Sequence, residues 1–314
     1  MSESESNDLD REVDASMRMF EKSKVGPAAS IPATEPKRVL VVLDGSPQDE
    51  TSIHAANVLQ GRFQTETLIL DARDKEEGDA SDLAQDQMAA VPASRAIPRA
   101  EGDAYDAILA AVESDSPDLA IVPSPFGRSF EKIGADSAGT VIDVLLSRCP
   151  IPMLVIRRDD QKLDECSKNV SMVVGGECDV ENKAAAWIFG LAAKAATVTL
   201  NLVIEKEQFE NIRSIFEALD PDASFEPEQF SEALKKTHES IHGAMAKTAA
   251  TLGMTYRLRP VAGEVAPPNL LAEATKMLLV MPLEVDDRFG QGFVQDRIRR
   301  SPHPVLVVPG HVPK

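Results

Sequence analysis

The chain has 314 residues, of which 43% are hydrophobic and 27% are charged, so the composition excludes wholesale disorder and the length predicts about two domains. It carries 33 lysines and arginines against 51 aspartates and glutamates. The resulting net charge of -18 excludes a broad nucleic-acid surface or an anionic membrane surface, although a local basic site for a small anion is compatible with it.

The cysteines and the N-terminal segment indicate the compartment. Cys149, Cys166 and Cys178 form no CxxC pair and no disulfide framework. No apolar run approaches the ~20 residues that cross a bilayer, and the acidic start MSESESNDLDREVD lacks the basic and apolar regions of a secretory signal. We therefore expect a cytoplasmic protein with no membrane partner and no nucleic-acid partner.

The N-terminal segment, residues 1–36, is expected to be a disordered acidic tail. Polar and acidic residues dominate it, and three prolines interrupt its second half. From residue 37 the pattern changes to short apolar runs that alternate with helical segments. Continuous apolar runs are typical of strands buried on both faces, so the alternation predicts an α/β fold with a parallel sheet and right-handed crossovers.

The predicted elements of the first copy follow in chain order, and Ser46 with Pro47 is expected to cap and begin the first helix. The predicted strands are Arg38–Asp44, Thr67–Asp71, Ser94–Ala100, Asp118–Pro123 and Ile151–Ile156, and the predicted helices are Pro47–Gln60, Asp103–Ser114 and Gly139–Arg148.

The second half of the sequence repeats this plan in the same order, which indicates a duplicated unit. Arg148–Ile156 matches Arg300–Val308, and Val39–Gly45 matches Val170–Gly176. The predicted domains are residues 37–158 and 169–314, joined by a charged linker at 159–168, and the second domain carries an insertion at about 205–242.

Two segments of the first copy follow strands one and four, where ligands of an open parallel sheet bind. One is Asp44-Gly45-Ser46, and the other runs from Pro123 to Phe130 and is followed by a helix that starts at Gly139. Glycines let backbone N–H groups approach an anion, a helix N-terminus adds partial positive charge, and hydroxyl and guanidinium groups are further donors. The predicted nucleotide-binding residues are Asp44, Gly45, Ser46, Ser124, Gly127, Arg128, Gly139, Thr140 and Val141.

The second copy lacks these features. Gly175 stands at the position of Asp44, and the loop after the fourth strand carries Glu284, Asp286 and Asp287. Because carboxylates repel a triphosphate, we expect no nucleotide site there.

These motifs resemble the universal stress protein family over essentially all of residues 37–314, as two tandem copies. The residues that carry the resemblance are Val39–Ser46, Gly127-Arg128-Ser129, Gly139-Thr140-Val141 and Cys149–Ile156. The resemblance implies two Rossmann-like, adenine nucleotide alpha-hydrolase-like domains, each with a five-stranded parallel sheet, packed as an intramolecular pseudo-dimer. In such a pair the last strands meet, here Met153 and Val155 against Val305 and Val307.

The resemblance also implies a ligand, ATP or AMP, with Mg²⁺ accompanying ATP. Asp44 would contact adenosine, while Gly127, Gly139 and Thr140 would hold the phosphates. The sequence departs from the family pattern at three points: Phe130 replaces the second glycine of the loop, the spacing to Gly139 is one residue short, and Pro123 replaces a glycine.

Other chemistry is not indicated. The P-loop motif is absent, and the Ser-Gly-Gly-x-Asp-Ser loop of ATP pyrophosphatases is replaced by Asp44-Gly-Ser-Pro, so we expect no catalytic residue. His238 and His242 lie four residues apart on a predicted helix, but nothing completes a metal shell, and we expect both at the surface. The expected function is therefore a stress-associated binding protein. The alternative is a nucleotide-independent interaction protein that docks an unknown protein partner through the insertion or the acidic tail, and a homodimer is a further partner that the resemblance allows.

Overall fold

The computed structural model describes residues 29–74, 82–128, 137–175, 180–219, 227–264, 275–284 and 287–310. The strands are β1 (Arg38–Leu43), β2 (Glu66–Asp71), β3 (Ser94–Ile97), β4 (Leu119–Pro123), β5 (Met153–Ile156), β6 (Asn169–Val174), β7 (Thr197–Glu205), β8 (Thr255–Glu264), β9 (Leu278–Leu283) and β10 (Val305–Pro309). The helices are α1 (Gln48–Phe63), α2 (Leu83–Gln87), α3 (Ala104–Asp115), α4 (Thr140–Arg148), α5 (Leu163–Cys166), α6 (Glu181–Leu191), α7 (Lys206–Leu219), α8 (Pro227–Thr237), α9 (Glu239–Thr251) and α10 (Arg288–Arg300).

The strands form one ten-stranded sheet in the order β3-β2-β1-β4-β5-β10-β9-β6-β7-β8. We call β1–β5 with their helices the first half and β6–β10 with theirs the second half. Within each half all strand pairs are parallel, and the two halves have the same strand order. The predicted α/β fold with a five-stranded parallel sheet in each half is therefore confirmed.

The sheet is buried on both faces, as the continuous apolar runs predict. In β1 the side chains of Val39, Val41 and Leu43 join one core, which includes Leu59 of α1. The alternate residues Leu40 and Val42 join the other core, with residues of α3 and α4. Because successive side chains of a strand point to opposite faces, the five consecutive positions from Val39 to Leu43 contribute alternately to the two cores.

The two halves meet through one antiparallel strand pair, β5 against β10. Val155 pairs with Val305, Leu154 with Leu306, and Met153 with Val307, so the predicted pairing is confirmed. The repeat offset of 152 residues, which relates Met153 to Val305, maps this set of pairs onto itself, so Leu154 and Leu306 lie on a local twofold axis. The pairing protects the inner edge strand of each half.

The part of the predicted tail that the structure describes, residues 29–36, is packed against the second half. Ile31 is 7% exposed and donates its N–H to the Thr248 Oγ1 at 2.8 Å, and Thr34 donates its N–H to the Ala186 carbonyl at 2.9 Å. Residues 29–36, which we call the N-terminal arm, therefore pack against α6 and α9 of the second half. Gly190 permits the approach, because a Cβ there would lie 1.7 Å from the Thr34 carbonyl oxygen. The prediction of a disordered tail is wrong for residues 29–36, because a single isoleucine among polar residues gives no recognisable sequence signal for burial.

The predicted linker makes the reciprocal contact. The Asp159 carbonyl accepts a hydrogen bond from the Thr51 hydroxyl at 3.0 Å, and Asp164 lies 2.9 Å from the His54 ring on the exposed side of α1. Leu163 is almost fully buried. Each half thus receives, on its first helix, the segment that precedes the first strand of the other half.

The insertion in the second half contains α7 and α8 and leads into α9. The surface placement predicted for His238 is wrong: the residue is 5% exposed, its Nδ1 donates to the Leu234 carbonyl at 3.0 Å, and its Nε2 lies 3.4 Å from the Glu181 Oε1. His242 is hydrogen-bonded to the Tyr256 hydroxyl at 2.9 Å. These contacts reach Glu181 of α6 and Tyr256 of β8, which local spacing alone does not reveal. Among the described helices, none is both long and apolar enough to cross a membrane.

Candidate functional site

The candidate site lies where the strand order reverses, between β1 and β4. β1 is hydrogen-bonded to β2 on one side and to β4 on the other, so the chain leaves the carboxyl ends of β1 and β4 in opposite directions. The loop after β1 contains Asp44, and the loop after β4 begins at Ser124. This is the position at which an open parallel sheet offers a crevice to a ligand.

Asp44 joins the two loops. Its carboxylate is 5% exposed, and Oδ1 accepts the N–H of Ser46 at 2.9 Å while Oδ2 accepts the N–H of Gly127 at 2.6 Å. The predicted pairing of these two segments in space is therefore observed. The bond between Asp44 and Gly127 also spans the crevice directly.

A second carboxyl group, that of Asp49 in the first turn of α1, stabilises the turn formed by Asp44 and Gly45. Its Oδ1 accepts the N–H of Asp44 at 3.0 Å, and its Oδ2 accepts the N–H of Gly45 at 2.9 Å. Burial and the negative charge of Asp44 raise the pKa of Asp49 to about 7, against the lowering effect of the two N–H donors. Asp49 therefore exchanges a proton near neutral pH, directly behind the site.

Three glycines at the site have left-handed backbone conformations. The φ angles are 77° at Gly45, 68° at Gly127 and 93° at Gly139. A Cβ at Gly139 would make an ordinary contact 3.5 Å from the Phe126 nitrogen, so it is the positive φ, and not a lack of space, that favours glycine where α4 begins beside the loop after β4. The amino end of a helix attracts anions, and Thr140 is exposed there.

Two backbone donors of the site are already hydrogen-bonded within the chain. The N–H of Gly127 donates to Asp44, and the N–H of Gly139 donates to the Ser137 Oγ at 3.0 Å. The Arg73 side chain lies against Gly45, with its Cδ 2.9 Å from where a Cβ would stand, and pairs with Asp71 at 2.8 Å. We call this arrangement, in which the N–H groups of Gly127 and Gly139 are bonded within the chain, the closed form of the site.

Buried polar atoms without partners lie in the same place. Within the described part of the chain, the hydroxyl of Ser46, which is 9% exposed, and the Gln48 Oε1 have no hydrogen-bond partner. The predicted capping role of Ser46 is wrong, because α1 begins at Gln48 without a side-chain cap and the turn is held by Asp49 instead. Buried polar groups in native proteins are usually satisfied, so each of these two atoms would gain from a hydrogen bond to a water or a ligand atom.

Gln48 also fixes the loops through its amide nitrogen. Its Nε2 donates to the carbonyls of Arg128 at 3.2 Å and Arg157 at 3.3 Å, with a longer contact of 3.5 Å to the carbonyl of Ser124. Ser124 is fully buried, and its hydroxyl donates to the Ala138 carbonyl at 2.7 Å. Ser124 thus has a structural role in the loop rather than an exposed position in the crevice.

The remaining predicted residues lie at the rim. Arg128 is exposed, whereas Val141 is half-buried and, like Phe126, packs against the core. Phe130, together with Ser129, lies outside the described residues. Sequence reasoning missed Gln48, Asp49, Asp71, Arg73 and Ser137 as members of the site.

The corresponding position of the second half has a different structure. The ring of Phe293 lies 3.5 Å from where a Cβ of Gly175 would stand, and the Arg297 guanidinium stacks on that ring at 4.5 Å. Glu284 and Asp287 follow β9, whereas Asp286 lies outside the described residues. An aromatic ring therefore fills the space beside Gly175.

Within the described ranges, no group of three or more histidine, cysteine, aspartate or glutamate side chains could hold a metal ion.

Burial raises the pKa of the Cys149 thiol to about 11, which makes this thiol a poor nucleophile.

Comparisons with known proteins identify the fold. No family model and no curated protein matches the sequence. A universal stress protein from Archaeoglobus fulgidus DSM 4304 has a similar solved structure, with a TM-score of 0.57 and 16% identity over 87% of this chain and 96% of that one. A functionally unknown protein from Pseudomonas aeruginosa PAO1 has a TM-score of 0.55 and 16% identity over 87% of this chain and 92% of that one. At this identity the likeness establishes the fold.

Proposed function

We propose, on the premise of a universal stress protein fold, that this chain is a stress-response binding protein. Its first half would bind one adenine nucleotide, ATP or AMP, and its second half would bind none. The observation that carries the proposal is the convergence of Asp44, three left-handed glycines and the amino end of α4 at the point where the strand order reverses.

The residues present are suited to such a ligand. The Ser46 hydroxyl is a buried donor without a partner, while Thr140 and Arg128 are exposed where phosphates would approach the helix end. Mg²⁺ would enter with ATP, held by the phosphate oxygens.

The closed form sets the expected affinity. A nucleotide must replace the partners of the N–H groups of Gly127 and Gly139, and each exchange returns little net free energy, because a typical hydrogen bond contributes about 1 kcal/mol. We therefore expect moderate affinity, in the micromolar to millimolar range.

Calorimetric titration with ATP and Mg²⁺, and separately with AMP, tests the proposal. The matched variants are Gly127→Ala and Gly253→Ala: both glycines have φ of +68° and open space around the missing Cβ, so the added backbone strain is the same. Only Gly127 lies at the candidate site. We expect Gly127→Ala to weaken binding at least about tenfold, since it must shift the loop, and Gly253→Ala to leave binding unchanged. Absence of heat with the unaltered protein, or equal losses in both variants, would contradict the proposal.

The second candidate is a nucleotide-independent interaction protein. It is favoured by the internal pairing of the Gly127 and Gly139 donors and by Ile215 of α7, which is 60% exposed on the insertion. A chain that gives no heat at millimolar nucleotide, and releases no material absorbing at 260 nm on denaturation, supports this candidate instead.

A further inference from the structure

We infer that the second half holds the candidate nucleotide site in its closed form through Arg157. This inference rests on the proposed function, since it assigns a regulation to the same site. Arg157 follows β5, the strand that joins the halves, and is 1% exposed.

The guanidinium of Arg157 is docked in the second half. Its Nη1 donates to the carbonyls of Ile298, at 2.8 Å, and Arg299, both in the last turn of α10. The last carbonyls of a helix have no partners within the helix and carry partial negative charge. A buried cation is therefore compensated by the carboxyl end of a helix from the other half.

The same guanidinium reaches the loop before α4. Its Nη2 donates to the Ser137 carbonyl at 3.0 Å, and the hydroxyl of Ser137 accepts the N–H of Gly139. On the other side of Arg157, its backbone carbonyl accepts the Gln48 amide that also holds Arg128. Through Arg157, α10 thus holds Ser137 in place, and the Ser137 hydroxyl accepts the Gly139 N–H that a bound phosphate would use.

A direct contact between the helices supports this coupling. Asp143 in the first turn of α4 accepts a hydrogen bond from Gln295 of α10 at 2.7 Å. These two residues are related by the repeat offset of 152, so α4 and α10 touch at the local twofold axis. A shift of α10 would therefore change the position of the amino end of α4.

The arrangement has a consequence for ligand binding. While Arg157 is docked, the Ser137 hydroxyl stays on the Gly139 N–H, and a phosphate must displace it. Loss of the Arg157 contact or of the Ser137 hydroxyl makes that donor available. A partner that loosens α10 would have the same effect and so raise the affinity of the first half.

A double-mutant cycle on the full chain tests the inference. We expect Ser137→Ala and Arg157→Ala each to strengthen ATP binding by about fivefold, and the double variant to gain no more than either, because both act on one N–H group. Affinity gains that simply add would overturn the shared route, and unchanged or weakened binding in both single variants would overturn the inference itself.

The control for lost stability is Arg62→Ala. Arg62 also crosses between the halves and donates to the carbonyls of Leu191 and Ala192 at 2.7 Å, at the end of α6, but it does not touch the loop after β4. This variant should lower the melting temperature as Arg157→Ala does and leave ATP affinity unchanged. A gain in affinity with Arg62→Ala would assign the effect to general loosening and reject the role of Arg157.

Hydrogen exchange without nucleotide separates this inference from the proposed function. We expect faster exchange of the Gly139 amide in Ser137→Ala and Arg157→Ala, and normal exchange in Arg62→Ala. If no variant binds ATP but the exchange pattern appears, the proposed function fails and the coupling stands. If the Gly139 amide exchanges at the same rate in all variants, the coupling fails whatever the affinities are.

Discussion

The two halves of the molecule share a strand order and a central interface, yet they differ at the carboxyl end of their first strand. In the first half Asp44 bridges to Gly127 and leaves the Ser46 hydroxyl buried and unpaired. In the second half the ring of Phe293 packs against Gly175. Sheet and interface depend on apolar strands that pack on both faces, whereas a ligand site depends on a few loop residues. A duplicated fold can therefore keep its architecture in both copies while the loops at the carboxyl ends of its strands diverge.

The largest expected effect concerns what the halves have in common, their shared strand pair. Val155 and Val307 are fully buried at this pair, and an ammonium group there has no water and no partner. We expect Val155→Lys or Val307→Lys to lower the free energy of unfolding by about 4 kcal/mol, measured by chemical denaturation. Leu252→Lys, at a residue 46% exposed, is the control and should change little. Equal, small effects at all three positions would show that the strand pair does not hold the halves together.

A smaller effect distinguishes the first helices of the two halves. Gly190 of α6 faces the N-terminal arm, and a Cβ there would collide with the Thr34 carbonyl, whereas Gly61 of α1 has nothing within 4 Å. We expect Gly190→Ala to lower the free energy of unfolding by about 2 kcal/mol. Gly61→Ala should raise it by about 0.5–1 kcal/mol, because alanine is the better helix former. Thermal melts of both variants give the comparison, and stabilisation by both would mean that the arm does not pack on α6.

The next prediction concerns the pH dependence of the free energy of unfolding, which depends on Asp49 at the candidate site of the first half. Because the pKa of Asp49 is about 7 in the folded chain and 3.8 ordinarily, the folded state binds the extra proton between these values. The contribution of Asp49 to stability is therefore fully present below about pH 4 and is lost as the pH rises to 7. Relative to Asp49→Asn, the unaltered protein should lose stability between pH 5 and pH 7.

The control for this titration is Asp71→Asn. Burial alone would raise the pKa of Asp71, but hydrogen bonds from the Arg73 side chain and the Leu83 N–H lower it overall. Its stabilising contribution is lost only on acidification, so the difference between Asp71→Asn and the unaltered protein should be constant from pH 5 to pH 7. A constant difference for Asp49→Asn as well would refute the raised pKa.

Particular residues explain how far the sequence predicts the structure. The uninterrupted apolar run from Val39 to Leu43 predicts a doubly buried strand, because this signal is local in the sequence. The repeated Pro-x-Pro-x-Leu-Val segment marks the last strand of each half, and the resemblance to the family implied that these two strands pair. The pairing of Asp44 with the loop after β4 follows from strand order in the same way.

What the sequence does not reveal depends on contacts between distant segments. The burial of Ile31, the approach of the arm to Gly190 and the docking of Arg157 on α10 each join residues more than 100 positions apart. Asp49 is recognisable afterwards as an acid in the first helical turn, but its pKa depends on burial and on Asp44. Ser46 is a typical helix-cap residue, and only the geometry shows that its hydroxyl makes no cap bond, while Asp49 accepts the N–H groups of Asp44 and Gly45 before the helix.

The stoichiometry of adenine nucleotide binding tests the contrast between the halves most directly. Titration of the full chain at protein concentrations above the dissociation constant should give one nucleotide bound per chain, and Gly127→Ala should remove it. Two nucleotides per chain would contradict the role given to Phe293, and none would contradict the site at Asp44.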